Sequence, residues 1–359
     1  MTSPVRVLIG TRRGLFIAHS ATDRTDWELS EPLLDGREVY CVANDERTGA
    51  LWAASRHSVW GAHLHRSDDG GVSWHILEDA PRFEDGRGLV AVWSIAPGGR
   101  SRPGRIFAGT EPAGLFVSED QGRSWVPVSG LNQHATAGTW QPAGGALALH
   151  SIALDPRDDD RIWCAVSAGG VYRSDDGGRT WHARNQGVRA EFLPTRFPAA
   201  GQCVHRLIVH PADPDRLYQQ NHCGVYRSDD RGDTWTEITE GLPSDFGYAL
   251  ATDPADPDSL FVVPEESSHM RTVHGGRLAV WATRDGGRTW AANGTGLPDR
   301  NAYVSVLREG LAFDSLDPVG LYLGTSGGHV FVSSDAGGSW TMIAGFLPRV
   351  LSVGVVVSS

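Results

Sequence analysis

The sequence predicts an all-β fold, a seven-bladed β-propeller, and three observations support this prediction. First, one eight-residue pattern, [ST]-x-D-x-G-x-[ST]-W, recurs six times along the 359 residues. Second, the tryptophans that end these copies lie 50 to 56 residues apart. Third, each interval contains four short strand patterns, and four strands repeated at a fixed period of this length are typical of propeller blades.

The six copies of this pattern, called the box segments below, occupy Ser67–Trp74, Ser118–Trp125, Ser174–Trp181, Ser228–Trp235, Thr283–Trp290 and Ser333–Trp340. Two short strands precede each box segment, for example RIFAGT and GLFV. Before these comes an alternating apolar strand that ends in a turn with proline and aspartate, as in HSIALDP. One more short strand follows each box segment, which completes a blade of four strands.

A seventh, degenerate copy occurs at the start of the chain, where Trp27 keeps the last position of the pattern. This first blade lacks an innermost strand, whereas the C-terminal stretch VLSVGVVV has no blade of its own. We expect the two to pair, because closing the ring removes exposed strand edges. The sequence therefore predicts one domain, residues 1–359, with blades at 5–30 plus 349–357, 38–77, 89–128, 147–184, 203–239, 246–292 and 302–343.

The box segments resemble the Asp-box, or BNR, repeat of sialidase-like propellers, and the resemblance covers essentially the whole chain. It extends to propellers of the photosystem II stability/assembly-factor type, and in style the chain is most similar to a cytoplasmic bacterial branch of unassigned function. Each box segment is expected to be scaffold: Asp accepts backbone N–H groups, Gly takes a positive φ, and Trp packs between strands. The alternative is calcium binding, but the spaced D-x-[DN]-x-[DN]-G loop is missing from the sequence.

The composition argues against several kinds of partner and chemistry, and together with the N-terminal sequence it predicts where the protein is located. The formal net charge is −11 and all 32 basic residues are arginine, which argues against nucleic-acid partners, anionic membrane surfaces and lysine-based chemistry. Four cysteines are too few for a disulfide framework. The N-terminus does not read as a signal peptide and no apolar run is long enough to span a membrane, so the expected location is the cytoplasm.

A functional site is expected on the rim opposite the box segments. Three long connections, at 77–88, 129–146 and 184–202, reach that rim, and long loops in compact repeat folds often form the walls of a site. The predicted catalytic residues are Glu111, Glu265, Glu309 and His150. The predicted ligand-binding residues are Tyr40, Trp93, Arg206, Asn221 and Arg308. The alternative for the charged groups is ion pairing with neighbouring arginines.

Blade five holds the densest group of metal-ligand residue types. If its first strand turns back near Asp213, antiparallel pairing places Cys203 near Cys223 and His205 near Asn221, to within about two residues. Thiolate and imidazole ligands from Cys203, His205, His222 and Cys223 would suit zinc, iron or copper. Because successive strand residues face opposite sides of a sheet, not all four can converge. The alternative is ordinary burial without a metal.

Three functions follow, in this order of preference. The first is a small-molecule-binding or enzymatic propeller with a polar His/Glu/Arg site on that rim, with or without a metal. The second is a glycoside hydrolase of the sialidase superfamily type with carboxyls about 5–10 Å apart, although true sialidase activity is not expected, since the Arg-Ile-Pro motif is missing. The third is a non-enzymatic scaffold that binds another protein. The expected partner is a small molecule or a protein, with no nucleic acid and no membrane.

Overall fold

The computed structural model describes residues 4–20, 23–142 and 146–358, and these form seven four-stranded sheets. Apart from one short helix and two 3-10 turns, the described elements are all strands. The predicted fold class, a seven-bladed β-propeller, is therefore confirmed. Positions 21 and 22 of the first predicted blade and 143–145 of the second long connection lie outside the described residues.

The strands are numbered along the chain, and each sheet pairs its own strands as neighbours. The first sheet contains β28 (Val350–Val357), β1 (Val5–Thr11), β2 (Gly14–Ser20) and β3 (Glu28–Leu29). The next three sheets contain β4 (Glu38–Asp45), β5 (Ala50–His57), β6 (Gly61–Ser67) and β7 (His75–Ile76); β8 (Ala91–Pro97), β9 (Ile106–Glu111), β10 (Gly114–Ser118) and β11 (Val126–Pro127); and β12 (Leu149–Asp155), β13 (Asp158–Val166), β14 (Gly170–Ser174) and β15 (His182–Ala183).

The last three sheets complete the fold. They contain β16 (Val204–Val209), β17 (Leu217–Asn221), β18 (Gly224–Ser228) and β19 (Thr236–Glu237); β20 (Gly247–Asp253), β21 (Asp256–Pro264), β22 (Val280–Thr283) and β23 (Ala291–Asn293); and β24 (Leu311–Phe313), β25 (Leu321–Gly324), β26 (Val330–Ser333) and β27 (Thr341–Ala344). Helix α1 (Ser129–Asn132) and the 3-10 turns Ala137–Thr139 and His274–Gly276 lie in connections. No helix among the described residues is both long and apolar enough to cross a bilayer.

The C-terminal strand completes the first blade, as the sequence predicts. Strand β28 runs antiparallel to β1, with Val5 opposite Val357 and Thr11 opposite Val350. Valine and isoleucine side chains of both strands are buried in one apolar cluster. The inner edge of β1 is thereby paired rather than open to another chain.

The described residues fall into two compact units. The first unit comprises the residues up to Val42 and from Ile238 onward, and its core includes Phe261, Leu323 and Phe331. The second unit runs from Ala43 to Glu237, with Trp163 and Tyr172 among its fully buried side chains. Apolar burial of this kind is the main stabilising contribution in each unit.

The box segments form hydrogen-bonded turns, as the segment that ends at Trp181 illustrates. Asp176 Oδ1 accepts the backbone N–H of Thr180 at 2.9 Å, and Oδ2 accepts the Thr180 hydroxyl at 2.6 Å. Gly178, with a φ of 95°, donates its N–H to Ser174 Oγ at 2.9 Å, and the Trp181 indole donates to the Gly178 carbonyl at 3.0 Å. A positive φ of this size favours glycine. Both carboxylate oxygens are thus bound within the turn, which favours the scaffold interpretation over calcium.

The pKa of Asp176 is consistent with the role of a hydrogen-bond acceptor within the turn. Burial opposes ionisation of Asp176, but hydrogen bonds from Thr180 and Ser174 outweigh it and lower the pKa of Asp176 to about 2. Corresponding aspartate-to-hydroxyl bonds of 2.6 to 2.7 Å occur in the other five box segments.

We expect Asp176→Ala to lower the free energy of unfolding by about 1–3 kcal/mol, because the turn loses several hydrogen bonds to a charged acceptor. Chemical denaturation measures the change. The matched control is Asp175→Ala, which removes the same charge one residue earlier. The interactions lost there are partly exposed ion pairs to Arg161 and Arg173, so the free energy of unfolding should fall by less than about 1 kcal/mol. Equal stability of Asp176→Ala and the wild type would contradict the scaffold role.

Candidate functional site

Bulges in the innermost strands occur at three predicted residues, Trp93, His150 and His205, and also at Tyr248. In β8, β12 and β16 the pairing slips by one residue at Trp93, His150 and His205, and in β20 it slips across Tyr248 and Ala249. A β-bulge adds an unpaired residue and redirects its side chain, and such bulges are enriched next to active sites. The sequence pattern predicts these strands but not their bulges.

Three of these bulges lie on neighbouring strands of the second unit. Ser94 Oγ donates to the Leu149 carbonyl at 3.5 Å, which links β8 to β12. The Leu207 N–H donates to Ser151 Oγ at 3.3 Å, which links β12 to β16. Trp93, His150 and His205 each lie one or two residues from these contacts. They therefore form a row of redirected side chains on adjacent inner strands.

Blade five brings together three of its four predicted metal ligands. Cys203, His205 and His222 each offer a ligand atom, and these atoms all lie within 4.8 Å of one another. The His205 and His222 rings are 5.6 Å apart between centroids, and the His222 N–H donates to the Cys203 carbonyl at 2.9 Å. Cys203 and His205 are buried, whereas His222 is partly exposed. This group is called the blade-five cluster below.

The fourth predicted ligand, Cys223, is buried and reduced but is not part of the blade-five cluster. The strand register explains the difference. Arg206 pairs with Gln220 as expected, but the bulge shifts the next pair to Val204 opposite Asn221. The backbone N–H of His222 rather than that of Cys223 therefore donates to the Cys203 carbonyl, and Cys223 follows His222 in the turn between β17 and β18.

Two predicted ligand-binding residues of blade five differ in exposure. Asn221 is buried; its side chain donates to Gln219 Oε1 at 3.3 Å and accepts the Cys223 N–H at 3.3 Å. These contacts hold the β17–β18 turn that carries His222. Arg206 is only partly buried. Asn221 thus holds the turn next to the blade-five cluster, and its assignment as a ligand-binding residue stays a prediction.

The predicted residues of blades three and four lie along the same row. The Trp93 indole donates to Glu111 Oε2 at 2.9 Å, and both side chains are partly exposed. His150 is buried, with Nδ1 3.2 Å from Ser151 Oγ. Glu111 is thus hydrogen-bonded to tryptophan.

In the first unit, Glu265 is a completely buried acid, with 0% of its surface exposed. Its Oε1 accepts a hydrogen bond from Ser305 Oγ, while Oε2 has no hydrogen-bond partner. Burial raises the pKa of Glu265 to about 7, against the opposing effects of the Ser305 hydroxyl, the Val306 backbone N–H and the charges of Arg271 and Arg349. Sequence reasoning missed Ser305, which lies in an irregular segment without a pattern.

The other predicted residues of the first unit make contacts of their own. The Arg308 guanidinium lies 5.1 Å from the centre of the Tyr248 ring, a cation–π distance. The Glu309 carbonyl accepts the Val353 N–H at 2.6 Å, which ties it to β28. The Tyr40 hydroxyl donates to Glu38 Oε2 at 3.0 Å, and Arg12 bonds Glu38 Oε1 at 3.1 Å. The sequence analysis did not predict Glu38 as a site residue.

An apolar groove of about 550 Å³ also lies in the first unit, within the size range of ligand pockets. Leu278, Leu297, Val304 and Phe331 line it, and Met342 lies at its exposed side.

Comparisons with known proteins find propellers. The family model described as Sortilin, neurotensin receptor 3 (Sortilin-Vps10) matches residues 169–299. The oligoxyloglucan-reducing end-specific xyloglucanase of Emericella nidulans is 26% identical over 214 residues, 52% of this chain and 25% of that protein. The photosystem II assembly protein Ycf48 of Synechococcus sp. (strain JA-3-3Ab) is 24% identical over 168 residues, 37% of this chain and 47% of that protein.

A solved structure is similar over most of the chain. The GH74 enzyme of Niastella koreensis has a TM-score of 0.62 at 19% identity, and the match covers 93% of this chain and 53% of that one. The chain spans about a quarter of the length of the curated xyloglucanases that it matches. Together with the seven four-stranded sheets and the six box segments, these similarities fit a BNR-like β-propeller.

Proposed function

We propose that this chain binds one transition-metal ion at the blade-five cluster and uses it to bind or convert a small molecule. Cys203 supplies a thiolate, and His205 and His222 supply imidazoles. The observation that supports the proposal is that three ligand atoms from separate parts of a hairpin lie within 4.8 Å of one another. Two of these residues, Cys203 and His205, are buried.

The donor set and spacing suit zinc or copper. Sulfur and nitrogen ligands of a tetrahedral zinc lie about 3.5 Å apart, since Zn–S is about 2.3 Å and Zn–N about 2.0 Å. Small side-chain rotations would shorten the distances between the ligand atoms from the observed range, up to 4.8 Å, to about this value. One thiolate with two imidazoles is also a ligand set of copper, whereas iron with open positions more often takes two histidines and a carboxylate.

Three protein ligands leave a coordination position for water or substrate, the arrangement of catalytic rather than structural zinc sites. A metal ion there would polarise a bound carbonyl or lower the pKa of a bound water. This chain would hold the ion with Cys203 and the two histidines, orient His222 through the turn at Asn221, and exclude water from the Cys203 side by burial.

Titration of metal-free protein with Co²⁺ tests the proposal, because cobalt in such a site reports both its geometry and its thiolate ligand by absorption. We expect one equivalent to bind, with visible d–d bands and a sulfur-to-cobalt charge-transfer band. Cys203→Ser should lose the charge-transfer band, while the matched control Cys223→Ser should retain it. Weak, non-saturable binding, or a charge-transfer band that survives in Cys203→Ser, would overturn the proposal.

The comparisons support two alternatives in general terms. Similarity to xyloglucanases supports glycoside hydrolysis, for which Glu265, with its raised pKa, would be the proton donor among the predicted carboxyls. Similarity to an assembly protein supports a protein-binding scaffold, for which the apolar groove at Leu278 and Phe331 is the matching surface. Neither alternative involves the blade-five cluster.

A further inference from the structure

The approach to the blade-five cluster is bordered by an aromatic side chain, Phe192. Its ring lies 5.3 Å from that of His222 between centroids, edge to face at 71°. Cys203 and His205 are each only 2% exposed, whereas His222 is partly exposed. A ligand therefore reaches the metal position from the His222 side, where Phe192 lies.

We propose that the small molecule bound at this metal carries an aromatic ring that packs against Phe192, beside the group that coordinates the metal. This inference rests on the proposed metal-binding function. Phe192 remains 44% exposed although one edge is in contact with His222. Part of its surface is thus free to take a second ring, and aromatic pairs at centroid distances of 4.5–7 Å add to the stabilisation from apolar burial.

The loop that carries Phe192 is held in place by its own hydrogen bonds. Asn185 Nδ2 donates to the Ala199 carbonyl at 3.0 Å, and Gln202 Nε2 donates to the Pro198 carbonyl at 2.6 Å. The first bond joins the beginning and the end of the long connection at 184–202, and the second holds the end itself. A side chain on a pre-formed loop loses little conformational entropy when a ligand binds, so its contact contributes more to affinity.

The charged groups beside Phe192 are paired with one another. Arg189 contacts Glu191 at 2.9 Å and Glu237 at 2.9 Å, and Arg196 contacts Glu191 at 3.5 Å. Because these charges are paired within the protein, the loop offers the ligand mainly the apolar surface of Phe192. The ring is expected to be uncharged, and the metal-coordinating group supplies the polar contact.

The test uses Co²⁺-loaded protein and two probes, imidazole and 4-phenylimidazole, which share one coordinating group and differ by a phenyl ring. The shift of the cobalt d–d bands measures each dissociation constant. In the wild type we expect 4-phenylimidazole to bind about 10-fold more tightly, a typical gain for one aromatic contact. Phe192→Ala should reduce this preference to about 2-fold or less, and Phe192→Leu, which keeps an apolar side chain, should reduce it in part.

Phe197→Ala is the matched control, because Phe197 is exposed on the same loop but its ring packs with Arg196, 5.4 Å away, instead of His222. It should keep the full preference. Failure of cobalt to bind any of the proteins would reject the metal site itself. Binding of cobalt with no preference for the phenyl probe, or with the same preference in Phe192→Ala, would leave the metal site intact and overturn the aromatic assignment. An undiminished preference in Phe192→Leu would also overturn it.

Discussion

His205→Ala should abolish stoichiometric metal binding. The variant removes one of three protein ligands, and the affinity should fall by more than about 100-fold, because even the outer partners of metal ligands contribute 10- to 100-fold. Elemental analysis of untagged protein after gel filtration, together with Co²⁺ titration, measures the loss. The measurement also identifies the metal, since zinc, copper and iron are each detected directly.

The same variant should also destabilise the metal-free protein. If His205 were exposed, alanine would leave the thermal midpoint nearly unchanged, but the side chain is buried and its ring lies 5.6 Å from that of His222. Alanine leaves a cavity there, so we expect a loss of about 1–3 kcal/mol in the free energy of unfolding. A loss of metal alone could therefore reflect a damaged blade.

His210→Ala separates these two effects. His210 is buried just past the other end of β16, and its Nδ1 accepts the N–H groups of Ala212 and Asp213 at 3.2 Å each. It should lose a similar amount of stability and keep one equivalent of metal. If His205→Ala keeps its metal, or if His210→Ala loses it as well, the blade-five cluster is not the metal site.

The repeat made the fold predictable because each blade repeats the same local information. The box segment fixes one turn per blade through bonds between residues four apart, such as Asp176 to Thr180, and these contacts are written in the sequence pattern itself. The closing strand was predictable for a related reason: Val350–Val357 has a strand pattern and no neighbours of its own.

The candidate site was predictable only in part. The register of β16 and β17 followed from the position of the turn, so Cys203, His205 and His222 could be brought together from sequence. The bulge at His205 could not be predicted from the sequence, because an extra unpaired residue leaves no signature in an alternating strand. The contact of Phe192 with His222 lies in a long connection without periodicity, so no pattern connected these two residues.

Burial depth was the other quantity that the sequence did not reveal. Glu265 and Glu266 are adjacent and chemically identical, yet Glu265 is completely buried, while Glu266 is exposed and accepts the Gly275 N–H at 2.8 Å. This difference in burial involves a contact between Glu265 and Ser305, which lies forty residues further along the chain. Acid–base behaviour in the folded chain therefore could not be predicted residue by residue.

Glu265→Gln should make the protein more stable relative to the wild type as the pH rises. The usual pKa of 4.5 for glutamate applies to the unfolded chain, whereas burial raises the pKa of Glu265 to about 7 in the folded chain. Between these values the folded state binds more protons than the unfolded state, so the free energy of unfolding of the wild type falls with rising pH. The loss begins near pH 4.5, is complete slightly above pH 7, and amounts to about 3 kcal/mol at most.

Glutamine removes this titration while it keeps an Oε1 acceptor for Ser305. The difference in unfolding free energy between variant and wild type, measured by denaturation at pH 4.5, 6 and 8, should therefore move by up to about 3 kcal/mol in favour of the variant. Glu240→Gln, the same substitution at an exposed position of the same unit, is the matched control and should show no comparable movement. Parallel pH profiles for the wild type and Glu265→Gln would mean that Glu265 ionises as freely in the folded chain as in water, and it would then be no better a proton donor than any surface glutamate.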